Sequence, residues 1–409
     1  MNRITLSTLK IILLVAIILS PIFVLAKSKA YMGVSCIDIQ IDTVNRLRLK
    51  NSEGVLIVNV VDSSPADVSG LKIDDVIIQM DRTRIKTMDD FIKAAGSYKA
   101  NKKAKISFIR KGETKIIPIT FAERPKQIEP TDLSYDSAKE NQINQLLDYV
   151  DKHNPSMGSL AISKEKDILF SRAIGYKQIG EATSLLADAE TKYRVGSISK
   201  TFTSVMIHQL IEEGKLSSDT KLDSFFPAIP NSGKITIRMM LTHRSGIGSF
   251  TDAKDYLGWN LVARSQKEVI QKILDQKPVF KPGKKTAYSN SNYLLLGYII
   301  EAIDKTAYSE SLAKRITQKI GLSHTYYGGK IDVANNEALS YYNTGEWVLN
   351  PETDMSVPGG AGAIVSTASD LVLFIQALFK GELISAKSLE QMLKEKDGMS
   401  SGIFQLTIG

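Results

Sequence analysis

Near residue 137 the apolar residues of this chain change their spacing, and the change divides it into separate folding problems. Before it the runs are short and alternating: Val55-Leu56-Ile57-Val58-Asn59-Val60-Val61, Val76-Ile77-Ile78-Gln79-Met80, Lys105-Ile106-Ser107-Phe108-Ile109 and Lys115-Ile116-Ile117-Pro118-Ile119. A period of two puts side chains on the two faces of a strand. These runs therefore predict strands around one helix at 88–98, with a two-residue turn at Lys111-Gly112. After residue 137 long helical patterns dominate, mixed with strands expected at 158–163 and 168–175. Residues 123–136 hold two prolines and mixed charge and read as a linker. At 409 residues, 43% hydrophobic and 23% charged, the chain has material for two or three cored domains. The expected class is α+β, with blocks at 30–122 and 137–409.

The start of the chain bears on its compartment. Arg3 and Lys10 precede an almost wholly apolar run from Ile11 to Ala26, broken by Ser20 and Pro21. The run is short for a spanning helix and ends in Val24-Leu25-Ala26, so residues 1–26 predict a secretory signal peptide and an exported chain, periplasmic or secreted. An uncleaved membrane anchor is the alternative. Cys36 is the only cysteine, which excludes an intrachain disulfide and gives no lipoprotein site. Lys and Arg are spread without a dense run. The formal charge of +8 thus points to an anionic envelope rather than to nucleic acid.

The chemistry-bearing segment is Tyr193-Arg194-Val195-Gly196-Ser197-Ile198-Ser199-Lys200-Thr201-Phe202-Thr203, which opens a helix with Phe202, Val205, Met206, Ile207, Leu210 and Ile211 as its buried stripe and Gly214 at its end. Residues three apart share a helix face, so Ser197 and Lys200 point the same way. A serine hydroxyl needs a partner to take its proton, and a desolvated lysine can do so. Developing negative charge at Ser197 would lie at the positive end of the helix dipole. Alone, S-x-x-K is equally a solvated helix face. Tyr288-Ser289-Asn290, after Pro282-Gly283-Lys284-Lys285 and before an apolar helix at 293–302, supplies a second element.

With these motifs the region from about 137 onward resembles the serine β-lactamase, D-alanyl-D-alanine carboxypeptidase and esterase family, on its Tyr-x-Asn branch. Further matching segments are 235–247, containing His243-Arg244-Ser245-Gly246, then Leu294-Leu295-Leu296-Gly297, and Gly359-Gly360-Ala361-Gly362 leading into Ser366-Thr367-Ala368-Ser369-Asp370-Leu371. The resemblance implies helices packed on an antiparallel sheet and an acyl-enzyme on Ser197. Lys200 would take the serine proton, and Tyr288, held as or near a phenolate, would shuttle it. Asn290 would bind the substrate amide, and the Ser197 N–H would be half of an oxyanion hole. Substrates implied are a peptidoglycan-type peptide, a β-lactam or a small ester, with no cofactor. His243 belongs to a segment that is structural in the family. His153, His208 and His324 lie apart from any Cys or carboxylate cluster, so no metal site is expected. Thr367 to Asp370 reads as a capping box.

The family's third motif, Lys-Thr-Gly or His-x-Gly on an edge strand, is not found. Residues 402–408 look like the strand before it, and Lys396-Asp397-Gly398 reads better as a helix C-terminus. The hydrolase domain is accordingly expected to be truncated at its C-terminal strands. The rival readings are a non-catalytic envelope binding protein and a trypsin-like protease; the latter lacks a G-x-S-x-G.

Block 30–122 resembles the PDZ domains of periplasmic high-temperature-requirement proteases. The residues are Tyr31-Met32-Gly33-Val34, Gly54-Val55-Leu56-Ile57, Ser64-Pro65-Ala66, Gly70-Leu71, Asp75-Val76-Ile77 and Arg110-Lys111-Gly112. Implied is a sheet edge that accepts a peptide as an added strand, with Tyr31, Met32, Gly33 and Val34 receiving its C-terminal carboxylate. A PDZ-shaped spacer without ligand is the alternative. Asp74 stands where the type has glycine, and Asp81-Arg82 replaces an Asn-Gly turn.

Overall fold

A computed structural model describes residues 30–39, 44, 47, 49, 53–61, 63–123, 137–153, 156–164, 166–180, 183–343, 347–394 and 399–403. The expected leader, residues 124–136 of the expected linker, Lys396-Asp397-Gly398 and residues 404–408 of the expected last strand lie outside them. Among the described residues no helix is long and apolar enough to cross a membrane. The chain forms two compact units: one runs through Ser156 and takes in Tyr341–Val348, and the other covers Met157–Ser340 and Leu349 onward. The helix Ser137–His153, expected to open the second block, thus groups with the first unit.

In the first unit the alternating runs form one sheet, in the order Val34–Asp38, Val55–Val60, Val76–Met80, Lys103–Arg110, Glu113–Thr120, with Thr83–Arg84 also paired to Val76–Met80. Inward residues Val55, Ile57, Ile77, Met80, Ile106, Phe108 and Ile119 are buried under the helix Met88–Gly96. Thr87 and Asp90 close that helix's N-terminus as a capping box. The Lys111-Gly112 turn has positive φ at both positions (52° and 81°), the geometry that matches the strands' twist. Asp74, at φ 70°, occupies the left-handed conformation for which the resembled domains use glycine. Asp81 does the same at φ 49°, and its carboxylate accepts the Lys105 N–H and the Tyr98 hydroxyl. Asp75, fully buried, is paired with Arg110 (2.6 Å), which also donates to Gly70 O. This links three of the sequence motifs through one ion pair.

Ser64-Pro65-Ala66 explains itself through the loop at 31–34. Ala66 N–H donates to Met32 O (2.9 Å) and Val61 N–H to Gly33 O (2.8 Å), tying both carbonyls back into the domain. A Cβ on Gly33, which has φ 84°, would lie 2.2 Å from Ser64 Cβ, so only glycine fits. The Val61 to Gly33 bond makes Val34 and Val60 a non-hydrogen-bonded pair, so the Val34 N–H and C=O point to the other side of the strand. Among the described residues no further strand pairs there: Val34–Asp38 is an edge.

The second unit centres on the helix Ser199–Glu212. A one-sided stripe was expected, but every residue from Ser199 to Leu210 is buried. Phe202, Val205, Met206, Ile207 and Leu210 are fully enclosed, each stabilising the fold by about 1.5–3 kcal/mol. Several of the polar members are bonded, while Ser204 Oγ and both ring nitrogens of His208 are buried without a hydrogen-bond partner among the described residues. Thr201 donates to Gly402 O, Thr203 to Gly360 O, and Gln209 to Arg315 O and Leu383 O, while Ser199 Oγ accepts the Ile364 N–H. The helix Asn290–Asp304 packs against it. Gly297 of that helix meets Gly360 backbone at 3.2 Å from a virtual Cβ, so the turn Gly359–Ala361 can lie flat on it.

Strands Gly158–Lys164 and Asp167–Ile174 pair antiparallel, with the helix Ala368–Phe379 packed on the first. A separate three-stranded sheet has Ile364–Ser366 between Tyr193–Arg194 and Tyr326–Tyr327. Of the expected capping box at 367–370 only half exists. Thr367 accepts the Asp370 N–H, but the Asp370 carboxylate is used by His324 N–H and Thr325 Oγ1.

Candidate active site

The short strand Ile364–Ser366 aligns the segment that carries Ser197. Tyr193 pairs with Ser366, Arg194 with Val365, and Val195 N–H donates to Ile364 O. A single 3-10 turn, Gly196–Ile198, then leads into the helix, so Ser197 sits one residue pair ahead of the helix proper rather than within it. Ser197 is exposed and Lys200 is buried.

Four sequence-predicted residues converge here. Ser197 Oγ is 2.7 Å from Tyr288 OH and 3.0 Å from Lys200 Nζ. Lys200 Nζ also donates to Asn290 Oδ1 (2.9 Å) and to Ala361 O (2.7 Å). Burial drives the Lys200 ammonium down to about 7, so a large share of it is neutral at neutral pH. Ala361 O and Asn290 Oδ1 can only accept. A neutral amine therefore keeps its two protons for them and turns its lone pair to Ser197, the one partner with a proton to give.

Tyr288 differs from expectation. Burial raises its phenol above the ordinary value, and the hydrogen bond with Ser197 opposes this only in part. Lys200 Nζ lies 5.0 Å from the Tyr288 ring centroid, yet the phenol stays above its ordinary value, so near neutral pH the amine rather than the phenol offers a free lone pair. Asn290 also does more than expected. Its Oδ1 faces Lys200, its Nδ2 donates to Thr251 Oγ1 (3.0 Å), and its backbone N–H donates to Ser249 Oγ (3.1 Å). Ser249 and Thr251 bond to each other at 2.8 Å. Sequence reasoning missed both hydroxyls, which follow the His-x-Ser-Gly segment with no motif of their own. It also missed Ala361, whose contribution is a backbone carbonyl. His243 lies behind Tyr288, with ring centroids 4.6 Å apart, and is not bonded to Ser197 or Lys200. Burial, then the charge of Lys200, depresses its imidazole to about 3.

Comparison with known proteins agrees with this architecture. A β-lactamase family model matches residues 143–407 and a PDZ domain model matches residues 30–120. A penicillin-binding protein of Bacillus subtilis (strain 168) is 27% identical over 274 residues, 62% of this chain and 58% of that protein. The teichoic acid D-alanine hydrolase of Staphylococcus aureus (strain MRSA252) is 25% identical over 240 residues, 58% of each chain. The chain thus spans less than two thirds of the length of these relatives. The crystal structure of a penicillin-binding protein from Bacillus halodurans superposes with a TM-score of 0.56 at 26% identity, covering 63% of this chain and 81% of that one. With a family match over well over half of its length, the chain belongs to the β-lactamase family, and a PDZ domain lies ahead of that region in the sequence.

Proposed function

We propose that the protein is an exported serine hydrolase that works through an acyl-enzyme on Ser197. The observation that carries this is the single hydrogen-bonded cluster of Ser197, Lys200 and Tyr288, with Lys200 brought to about 7. Neutral Lys200 accepts the Ser197 proton as Oγ bonds to the acyl carbon. The protonated Tyr288 gives its proton to the leaving atom as the old acyl bond breaks, and Lys200 then restores the phenol. The net transfer is from the serine hydroxyl to the leaving group. Water releases the acyl group by the reverse relay. The Ser197 N–H, at the head of the helix, supplies one oxyanion donor.

The substrate class we favour is a D-alanyl ester or a D-alanyl peptide of the envelope, with β-lactams as acylating analogues. The names of the relatives support this, as does a leader-like N-terminal sequence. The test is release of D-alanine from a D-alanyl ester and from a D-alanyl-D-alanine peptide, compared with Ser197→Ala. Release by the native chain that is lost in the variant is expected. No turnover and no adduct with any acyl donor would leave the non-catalytic binding protein as the better reading.

For the first unit we propose binding of free peptide C-termini along the edge strand Val34–Asp38. The tied-back carbonyls of Met32 and Gly33, with the outward Val34 N–H, support it. Amidating the peptide C-terminus should abolish binding, and unchanged affinity would exclude this mode.

A further inference from the structure

We propose that His243 is the positioning residue for Tyr288, fixing the backbone on both sides of that tyrosine and the plane of its ring. The proposal rests on the reading of Tyr288 as the proton shuttle and deepens it. His243 is not hydrogen-bonded to Ser197 or Lys200; its contacts with this segment are to Ala287, Tyr288 and Ser289, and the double-mutant cycle below separates an effect carried by Tyr288 from one carried otherwise.

The geometry is a clamp. Ala287 N–H donates to His243 O at 3.0 Å, and Ser289 N–H donates to His243 Nδ1 at 3.1 Å. The two residues flanking Tyr288 are thus bonded to one residue, by its main chain on one side and its ring on the other. Between these bonds the imidazole lies against the phenol ring, 4.6 Å between centroids and 29° between planes. His243 can do both because it is left-handed, at φ 53°, a conformation that turns its carbonyl and its ring toward the same segment and that histidine tolerates better than most residues. The same strap continues outward. Gly283 N–H donates to Arg244 O and Val279 N–H to Gly246 O, which explains why Pro282-Gly283 stands ahead of Tyr288.

The ring's protonation is fixed by its donors. Ser245 Oγ donates to Asn292 Oδ1 (2.6 Å), which turns the Asn292 amide nitrogen toward His243 Nδ1 at 3.4 Å. Nδ1 therefore faces two N–H groups and must carry a lone pair, leaving the proton on Nε2. The depressed imidazole pKa keeps that tautomer through the working range of pH. An imidazolium here would set N–H against N–H and release Ser289. A histidine used as a base would need an open, titrating nitrogen aimed at the substrate. This one is 2% exposed and its Nδ1 is consumed by the backbone it holds.

The test is a double-mutant cycle with Tyr288→Phe. His243→Asn keeps an acceptor near Nδ1 and suits the left-handed backbone but removes the ring. His243→Phe keeps a ring and removes the acceptor. In the native background each should slow acylation of Ser197 roughly tenfold to a hundredfold, and in the Tyr288→Phe background by less than about threefold. Equal losses in both backgrounds would overturn the proposal. A second readout needs no activity. With tyrosine labelled at the phenol carbon, NMR titration should show the Tyr288 pKa falling back toward the ordinary value in His243→Asn, because the ring loses its cover. An unchanged pKa would overturn the proposal. A native chain that fails to acylate but shows this shift would count against the hydrolase reading alone. If neither variant folds, His243 serves general packing and the proposal is wrong.

Discussion

The loop at residues 31–34 and the cluster around Ser197 are built from different material. The loop is backbone: its shape is set by Gly33, by two carbonyls held from behind, and by a strand edge. The cluster is mainly side chain: Ser197, Tyr288 and Asn290, from segments about ninety residues apart, gather around the desolvated amine of Lys200, with one backbone carbonyl from Ala361. A backbone site should fail when the chain can no longer follow its path, and survive most exchanges of side chain. A side-chain site should fail when one atom is removed, even with the path intact.

The largest break expected from that contrast is Lys200→Ala. It deletes the proposed base while leaving the helix, whose stability rests on Phe202, Val205, Met206, Ile207 and Leu210. Acylation by a penicillin or an activated ester should drop on the order of a thousandfold or more, with peptide binding by the first unit untouched. Stopped-flow or gel labelling would measure it. Gly33→Ala is the reciprocal change. It adds one methyl group at a left-handed position 2.2 Å from Ser64 Cβ, so the loop must move. A strain of about 1–3 kcal/mol in the loop should weaken binding of a C-terminal peptide roughly fivefold to a hundredfold, while Ser197 labels as before. Calorimetry with a free and an amidated peptide would separate the two effects. Loss of labelling in Gly33→Ala would break the comparison.

The contrast also explains what could be read from the sequence. Strands and turns of the first unit were legible because period-two runs and Lys111-Gly112 are local signals. Ser197, Lys200, Tyr288 and Asn290 were legible as motifs. Their partners were not. Ser249 and Thr251 are ordinary hydroxyls that gain meaning only by meeting Asn290, forty residues away in sequence, and Ala361 acts through a carbonyl that every residue has. The raised phenol of Tyr288 was not legible either, because burial is not a property of the local sequence. The all-round burial of the helix Ser199–Glu212 was missed for a related reason: polar residues such as Thr201, Thr203 and Gln209 look like a solvated face until their acceptors are placed.

A finer cut tests that missed layer. Thr251→Val keeps the shape of the side chain and removes the acceptor of the Asn290 amide. One neutral hydrogen bond is worth about 0.5–1.5 kcal/mol, so acylation should slow only about twofold to tenfold, with the melting temperature little changed. A loss as large as that of Lys200→Ala would mean that Thr251 touches the reacting groups. No loss would mean that the bonds to Lys200 and Ser249 hold Asn290 without help from Thr251.

The central claim is that burial makes Lys200 a neutral base for Ser197 near physiological pH. Intact-protein mass spectrometry of labelling over a pH series, with peptide mapping of the adduct, tests it most directly. The base is the unprotonated amine, whose fraction rises with pH. The initial rate of adduct formation on Ser197 should therefore climb about tenfold per pH unit below about 7 and level off above it. A rate that keeps climbing to about pH 10, as for a lysine of ordinary pKa, would contradict the account. So would an adduct on any residue other than Ser197.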